Sequence, residues 1–148
     1  MDDNVGVLLT QVSRLLRRSF DERARAIGVT RPQWQMLTIL VRNPGIHQGG
    51  LAELLEVEPI TAARMIDRLQ DAGLVERRAD PADRRTWRVH PTQKGKSLLE
   101  ALQPSARETL DEALEGILPA EQDRLLKLLC QVRANLSRRT AAEEPANG

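Results

Sequence analysis

The feature that most constrains the fold of this chain is a double change of apolar period. Up to Gly73 the apolar residues recur at helical spacing; from Leu74 to His90 they alternate loosely, and after Thr92 the helical spacing returns. Just before the first change lie two short helical segments. One, around Gln48–Leu55, turns Leu51, Ala52 and Leu55 inward, and Val57-Glu58-Pro59 then makes a tight turn. Pro59 opens the other segment, which ends at Gly73 and carries Ala62, Met65, Ile66 and Leu69 on one face. Leu74–Ala79 and Thr86–His90 predict two strands joined by the polar turn Asp80-Pro81-Ala82-Asp83-Arg84-Arg85. Two short helices joined by a tight turn make a helix-turn-helix, and a hairpin directly behind it makes a wing. The expected fold class is mainly α with a small β wing.

The flanking segments read as longer helices. Val5, Leu8, Leu9, Val12, Leu15, Leu16 and Phe20 recur at helical spacing, with Asp3 or Asn4 placed to cap the helix and Gly28 to end it. Thr30-Arg31-Pro32-Gln33 has the form of a capping box with proline in the first turn. It opens a helix expected to present Trp34, Leu37, Leu40 and Val41 on one face, and Asn43-Pro44-Gly45 stops it. Thr92 is placed to cap a long helix carrying Leu98, Leu99, Leu102, Ala106, Leu110 and Leu114, kinked at Pro104. Pro119 starts a last helix with Leu125, Leu128, Leu129, Val132 and Leu136 along one stripe. The terminal stripes are longer than the small central lobe can cover. The expected organisation is a helical dimerisation lobe from residues 1–30 and 92–139, a winged helix-turn-helix lobe from 31–91, and a disordered tail at 140–148. The alternative is an intrachain helical bundle.

Composition narrows the function classes. Phe20, Trp34 and Trp87 are the only aromatic residues, so the core must be aliphatic, and its leucine content favours helices over a sandwich. The net charge is only +1, yet residues 77–96 hold seven basic residues (Arg77, Arg78, Arg84, Arg85, Arg88, Lys94, Lys96) against Asp80 and Asp83, a local +5 suited to phosphate. A lone Cys130 excludes an intramolecular disulfide and a cysteine-based metal site, and its neighbours Leu129 and Val132 suggest a packing role. His47 and His90 lack metal-ligand spacing, and no Ser-His-Asp, paired-carboxylate or Gly-rich phosphate motif supports catalysis. Neither an enzyme nor a cofactor is expected. No apolar run approaches the ~20 residues of a membrane span, and no secretory leader precedes the first helix, so the expected location is cytoplasmic.

In a helix-turn-helix the second helix enters the DNA major groove N-terminal end first. Here that end offers Ile60, Thr61, Ala63 and Arg64, with Arg68 flanking. Arg64 alone among the first four can bond a guanine bidentately; Ile60 and Ala63 can pack on thymine methyls, and Thr61 can reach a phosphate or base. Asp67 is expected to orient a nearby arginine such as Arg84 or Arg85. Those two sit at the wing tip, where an arginine suits the narrow minor groove, and Arg77, Arg78 and Arg88 on the strands suit flanking phosphates.

These stretches resemble the MarR/SlyA family of transcription regulators. The likeness runs from Val29-Thr30-Arg31-Pro32-Gln33-Trp34 through Leu51-Ala52-Glu53-Leu54-Leu55 and Ile66-Asp67-Arg68-Leu69-Gln70-Asp71-Ala72-Gly73-Leu74-Val75. It is most specific in Asp80-Pro81-Ala82-Asp83-Arg84-Arg85 and Val89-His90-Pro91-Thr92-Gln93-Lys94-Gly95. The chain departs from the pattern at Gly49-Gly50 and at Pro91. The resemblance implies a homodimeric repressor on palindromic double-stranded DNA, often relieved by a small aromatic carboxylate or phenolic effector. The positions matching the family's ligand pocket are Arg14, Trp34 and Thr38. Two other readings stay open: a winged-helix module for protein contacts without DNA, and a thiol-based redox sensor acting through Cys130.

Overall fold

Helix punctuation in the sequence is used as written. In the computed structural model, which describes residues 3–143, the Asn4 side chain accepts from the Val7 N–H at 3.0 Å and starts α1 (Val5–Ala26). Gly28, at φ +82°, turns the chain out of it. The Thr30 N–H donates to the Gln33 side-chain oxygen at 3.0 Å as α2 (Arg31–Arg42) begins. A two-residue strand β1 (Ile46–His47) precedes α3 (Gln48–Leu55) and α4 (Pro59–Asp71). Gly73, at φ +75°, lets Leu74 N–H reach back to the Leu69 carbonyl at 2.9 Å and close α4. The turn between α3 and α4 holds Glu56 at φ 55°, a left-handed conformation that costs a residue with a Cβ roughly 1–2 kcal/mol.

After α4 come β2 (Val75–Ala79) and β3 (Trp87–Pro91), then α5 (Gln93–Ala101), α6 (Gln103–Ala113) and α7 (Pro119–Glu143). The fold is mainly helical, with a three-stranded antiparallel sheet in the order β1-β3-β2. Ile46 pairs with Val89 and His47 with Arg88 across β1 and β3, while Val75 to Ala79 pair with Pro91 to Trp87. Strand β1 is an addition to the expected hairpin. Two residues cannot display an alternation, so only pairing reveals them. Pro91 fits because it lies beyond the reach of β1, where its missing N–H deprives no second neighbour.

The main core joins Met36, Leu37, Leu40, Leu51, Ile66, Leu69, Leu74, Val75 and Val89; a smaller cluster joins Ala24, Val29 and Leu102. Leu98 and Leu99 of α5 pack on both clusters. Val41, expected inward, is exposed. Once Met36 joins the stripe, its centre lies between Met36, Leu37 and Leu40, and Val41 falls roughly 90° away at about 100° per residue. Trp34 is only half-buried for the same reason.

The expected long kinked helix is two helices. Pro104 cannot donate to the carbonyl four residues back, so the chain breaks at Leu102, whose N–H turns to Leu99 at 3.1 Å. Pro104 then sits in the first turn of α6, where no N–H is needed. Helix α7 runs through Glu143, into the stretch expected to be tail, and 144–148 lie outside the described residues. The chain divides into two compact units between Thr109 and Leu110. Helix α1 belongs to the first, where the buried Asp21 carboxylate accepts from Trp34 Nε1 at 2.7 Å and from Arg31.

Candidate nucleic-acid interface

The outward face of α4 follows from what its other face buries. Ala62, Ile66 and Leu69 enter the core, which leaves Ile60, Thr61, Arg64 and Arg68 exposed and Ala63 half-buried. Arg64 and Arg68 have no side-chain hydrogen bond or ion pair among the described residues, so both guanidinium groups stand ready for an external acceptor. Asp67 pairs with Arg77 at 2.7 Å, not with Arg84 or Arg85 as expected. The wing turn carries those two arginines away, whereas β2 runs beside α4 and brings Arg77 to it.

Side-chain carboxylates build the wing turn. Asp83 accepts from the Arg85 N–H at 3.0 Å and from the Thr86 hydroxyl at 3.1 Å, while the Asp80 N–H donates to the Thr86 carbonyl at 3.0 Å. The turn's own acids are thus occupied with local donors, and the Arg84 and Arg85 side chains project from it exposed and unpaired among the described residues. Arg78 is exposed but bonded to Glu76 at 2.8 Å. Arg88 is half-buried, donating to Asp80 at 3.1 Å and to the Gly45 carbonyl at 3.0 Å. Arg77 is turned inward and bonded to α3 and α4.

Asp80, only 6% exposed, is the hub of the wing base. One oxygen accepts from the Ala82 N–H at 2.8 Å, the other from His47 Nε2 at 2.7 Å and from Arg88. An ionised carboxylate only accepts, so His47 carries its proton on Nε2. The His47 bond, then the Ala82 N–H, hold the Asp80 pKa down at about 2. Its folded value lies below the unfolded one, near 4, so this stabilisation is complete above pH 4 and is lost as pH falls from about 4 towards 2. An acid titration followed by hydrogen exchange at Ala82 should show protection constant down to about pH 4 and falling below it. Loss of protection between pH 7 and 5 would contradict the assignment. The pKa of His90 on β3 is lowered by burial, then by the neighbouring Arg78 charge.

His47, Asp80 and Gly45 were missed as a group in the sequence, because His47 and Asp80 lie 33 positions apart and only the pairing of both β1 and β2 with β3 joins them. The positions expected to hold an effector are partly brought together. Thr38 donates to the Trp34 carbonyl at 2.7 Å, and the Trp34 ring meets Phe20 edge-on at 4.8 Å. Arg14 is exposed on α1, seven residues and about 10 Å of helical rise before Asp21, the acceptor of the Trp34 N–H. Cys130 is exposed in the single chain. Its neighbours on the α7 stripe, Leu129 and Val132, are exposed as well. Among the described residues no cluster of three or more His, Cys, Asp or Glu can hold a metal ion, and no helix is long and apolar enough to cross a membrane.

Comparison with known proteins agrees with this geometry. The MarR family model matches residues 29–87, from the end of the α1–α2 turn to the first residue of β3. An uncharacterized HTH-type transcriptional regulator of Bacillus subtilis (strain 168), YybA, is 31% identical over 127 residues, covering 86% of this chain and 85% of that protein. Wild-type apo MarR from E. coli superposes with a TM-score of 0.81 at 26% identity, covering 89% of this chain and 98% of that one. A mutant MarR from E. coli complexed with operator DNA gives 0.72 at 26% identity, covering 86% and 91%. On its sequence, its element order and its wing, the chain belongs to the MarR family of winged helix-turn-helix transcription regulators.

Proposed function

We propose that this protein is a homodimeric repressor that binds a palindromic operator. The observation that carries the reading is the pair of unpartnered arginine groups on one lobe: Arg64 and Arg68 on the outer face of α4, Arg84 and Arg85 at the wing tip. Positive side chains held on a helix and a hairpin, with their own acids occupied elsewhere, match a major groove and an adjacent minor groove. The likeness to MarR bound to operator DNA supports the same reading. Selection of duplexes from a random library, followed by a gel shift on the winner, tests it. Failure to enrich any sequence would reject it and favour a protein-contact module.

Dimerisation, through residues 1–30 and 92–139, is supported by apolar side chains left in water. Val5, Leu8, Leu9, Val12 and Leu15 on α1, and Leu125, Leu126, Leu128, Leu129, Val132 and Leu136 on α7, are all exposed in the single chain. Fully covering an exposed side chain of this kind gains about 1.5–3 kcal/mol, and these, 37–69% exposed, gain roughly half of that each, against an association cost on the order of 4–15 kcal/mol. Covering all of them on both chains exceeds that cost. Light scattering at micromolar concentration should give twice the 16.6 kDa chain mass. A stable monomer would refute this part.

For the effector we favour a small aromatic carboxylate, with Arg14 as its ion-pair partner and Trp34 and Thr38 beside it. Arg14 is exposed and unpaired among the described residues, which supports the choice. The Trp34 N–H is already held by Asp21, so its contribution is ring contact alone. Salicylate should weaken operator binding by the parent, and Arg14→Ala should abolish that response while operator affinity stays nearly intact. Equal responses would reject the placement.

A further inference from the structure

Arg77 is the basic residue of the wing lobe with the largest set of protein partners, and they lie on both helices of the helix-turn-helix. Nε donates to the Gln48 side-chain oxygen at 3.0 Å, at the first residue of α3. Nη1 donates to the Gln70 side-chain oxygen at 3.0 Å and pairs with Asp67 at 2.7 Å, and Nη2 donates to the Ala63 carbonyl at 3.1 Å. The side chain is 17% exposed, against 60% for Asp67. Its own strand is β2, so one guanidinium ties the wing to α3 and α4 together.

We propose that Arg77 is a positioning residue that fixes the rotation of α4 about its own axis, with Asp67 as its counter-charge, and that it is not a phosphate contact. This rests on the DNA-binding reading above. Ala63, Asp67 and Gln70 are spaced four and three residues apart, so they form one stripe along α4. That stripe lies about 100° around the helix from the stripe of Arg64 and Arg68. Holding the first at three points sets the direction of the second. A 10° rotation moves a side-chain tip about 6 Å from the axis by about 1 Å, enough to break a bidentate bond to a base edge. A phosphate contact would require the guanidinium to leave four acceptors, and the planar fork that reaches all of them is specific to arginine.

The test uses the full chain and two duplexes, the site selected by the parent protein and a random sequence, with anisotropy measured over a range of KCl concentrations. Selection of a site by the parent decides the DNA-binding reading first, and the variants then decide the role of Arg77. Arg77→Lys keeps the charge and should lower affinity for the selected site at least tenfold while changing random-duplex binding less than twofold. Arg77→Gln should leave the random-duplex salt slope unchanged, whereas loss of a phosphate contact would reduce it by about 0.9 per protomer. Asp67→Asn, at an exposed position that should not disturb folding, discriminates by sign. Removing a negative charge beside DNA would by itself tighten both duplexes, but loss of positioning should lower the ratio of selected-site to random affinity. The double variant Arg77→Lys with Asp67→Asn should lose less than the product of the single losses. A retained ratio in Asp67→Asn and Arg77→Lys, or a reduced slope in Arg77→Gln, overturns the proposal.

Discussion

Arg64→Ala is expected to cost roughly 1–3 kcal/mol per half-site on the selected operator and little on random DNA. A dimer with two half-sites would then lose about twice that, on the order of a thousandfold in affinity near the middle of the range. Arg64 is exposed on the face of α4 opposite the buried Ala62, Ile66 and Leu69, and no intrachain partner competes for its guanidinium among the described residues. Arg84→Ala is the contrasting case. At the wing tip it is expected to contribute charge and sensing of groove width, so both duplexes should weaken and the salt slope should fall by about one unit per subunit. Circular dichroism and light scattering on both variants exclude loss of fold or assembly. If Arg64→Ala weakened all sequences equally and Arg84→Ala changed only base preference, the two roles would be reversed. If neither changed binding, α4 would not be the docking element.

Gly95→Ala should be the most damaging single-methyl change in the fold. A Cβ at Gly95 would lie 2.2 Å from the Leu74 carbonyl oxygen and 2.9 Å from a Leu37 methyl. The carbonyl cannot retreat easily, because it accepts from the Thr92 N–H at 3.0 Å at the junction of β3 and α5. Helix propensity favours alanine by about 0.5–1 kcal/mol, but relieving the overlap means moving α5 off the Leu74 backbone just ahead of β2. Overpacking of this kind costs about 1–3 kcal/mol and occasionally more, and two contacts under 3 Å put this site at the upper end. A fall in Tm of roughly 6–12 °C is expected for a chain of this size. An unchanged or raised Tm would show that α5 does not approach the Leu74 carbonyl so closely.

How much of this site was legible in the sequence depends on the range of each interaction. The outer face of α4, with Ile60, Thr61, Arg64 and Arg68, follows from a local period, and the structure exposes all four. The wing turn was equally legible, since Asp83 bonds only to residues two and three positions on. The partner of Asp67 was not: charge pattern offered Arg84 and Arg85, whereas strand pairing delivered Arg77. The same holds for the hydrogen-bond partners of Arg77 and Arg88. A run of basic residues says that positive charge is present, not which guanidinium groups are already bonded within the protein.

The helix-turn-helix with its wing, and the helix starts and stops up to Thr92, were determined by the sequence alone, because caps, prolines, glycines and apolar period act within a few residues. Asn4, the Thr30–Gln33 pair, Pro59 and Gly73 all behave in the fold as their local chemistry requires. Tertiary structure alone decided the third strand, the Asp80 hub and the Arg77 clamp. Each of these depends on which segments lie side by side, and His47 and Asp80, 33 positions apart, carry no local trace that the two will meet. Local sequence sets what each segment becomes; packing of the shared core sets which polar groups are left over for DNA.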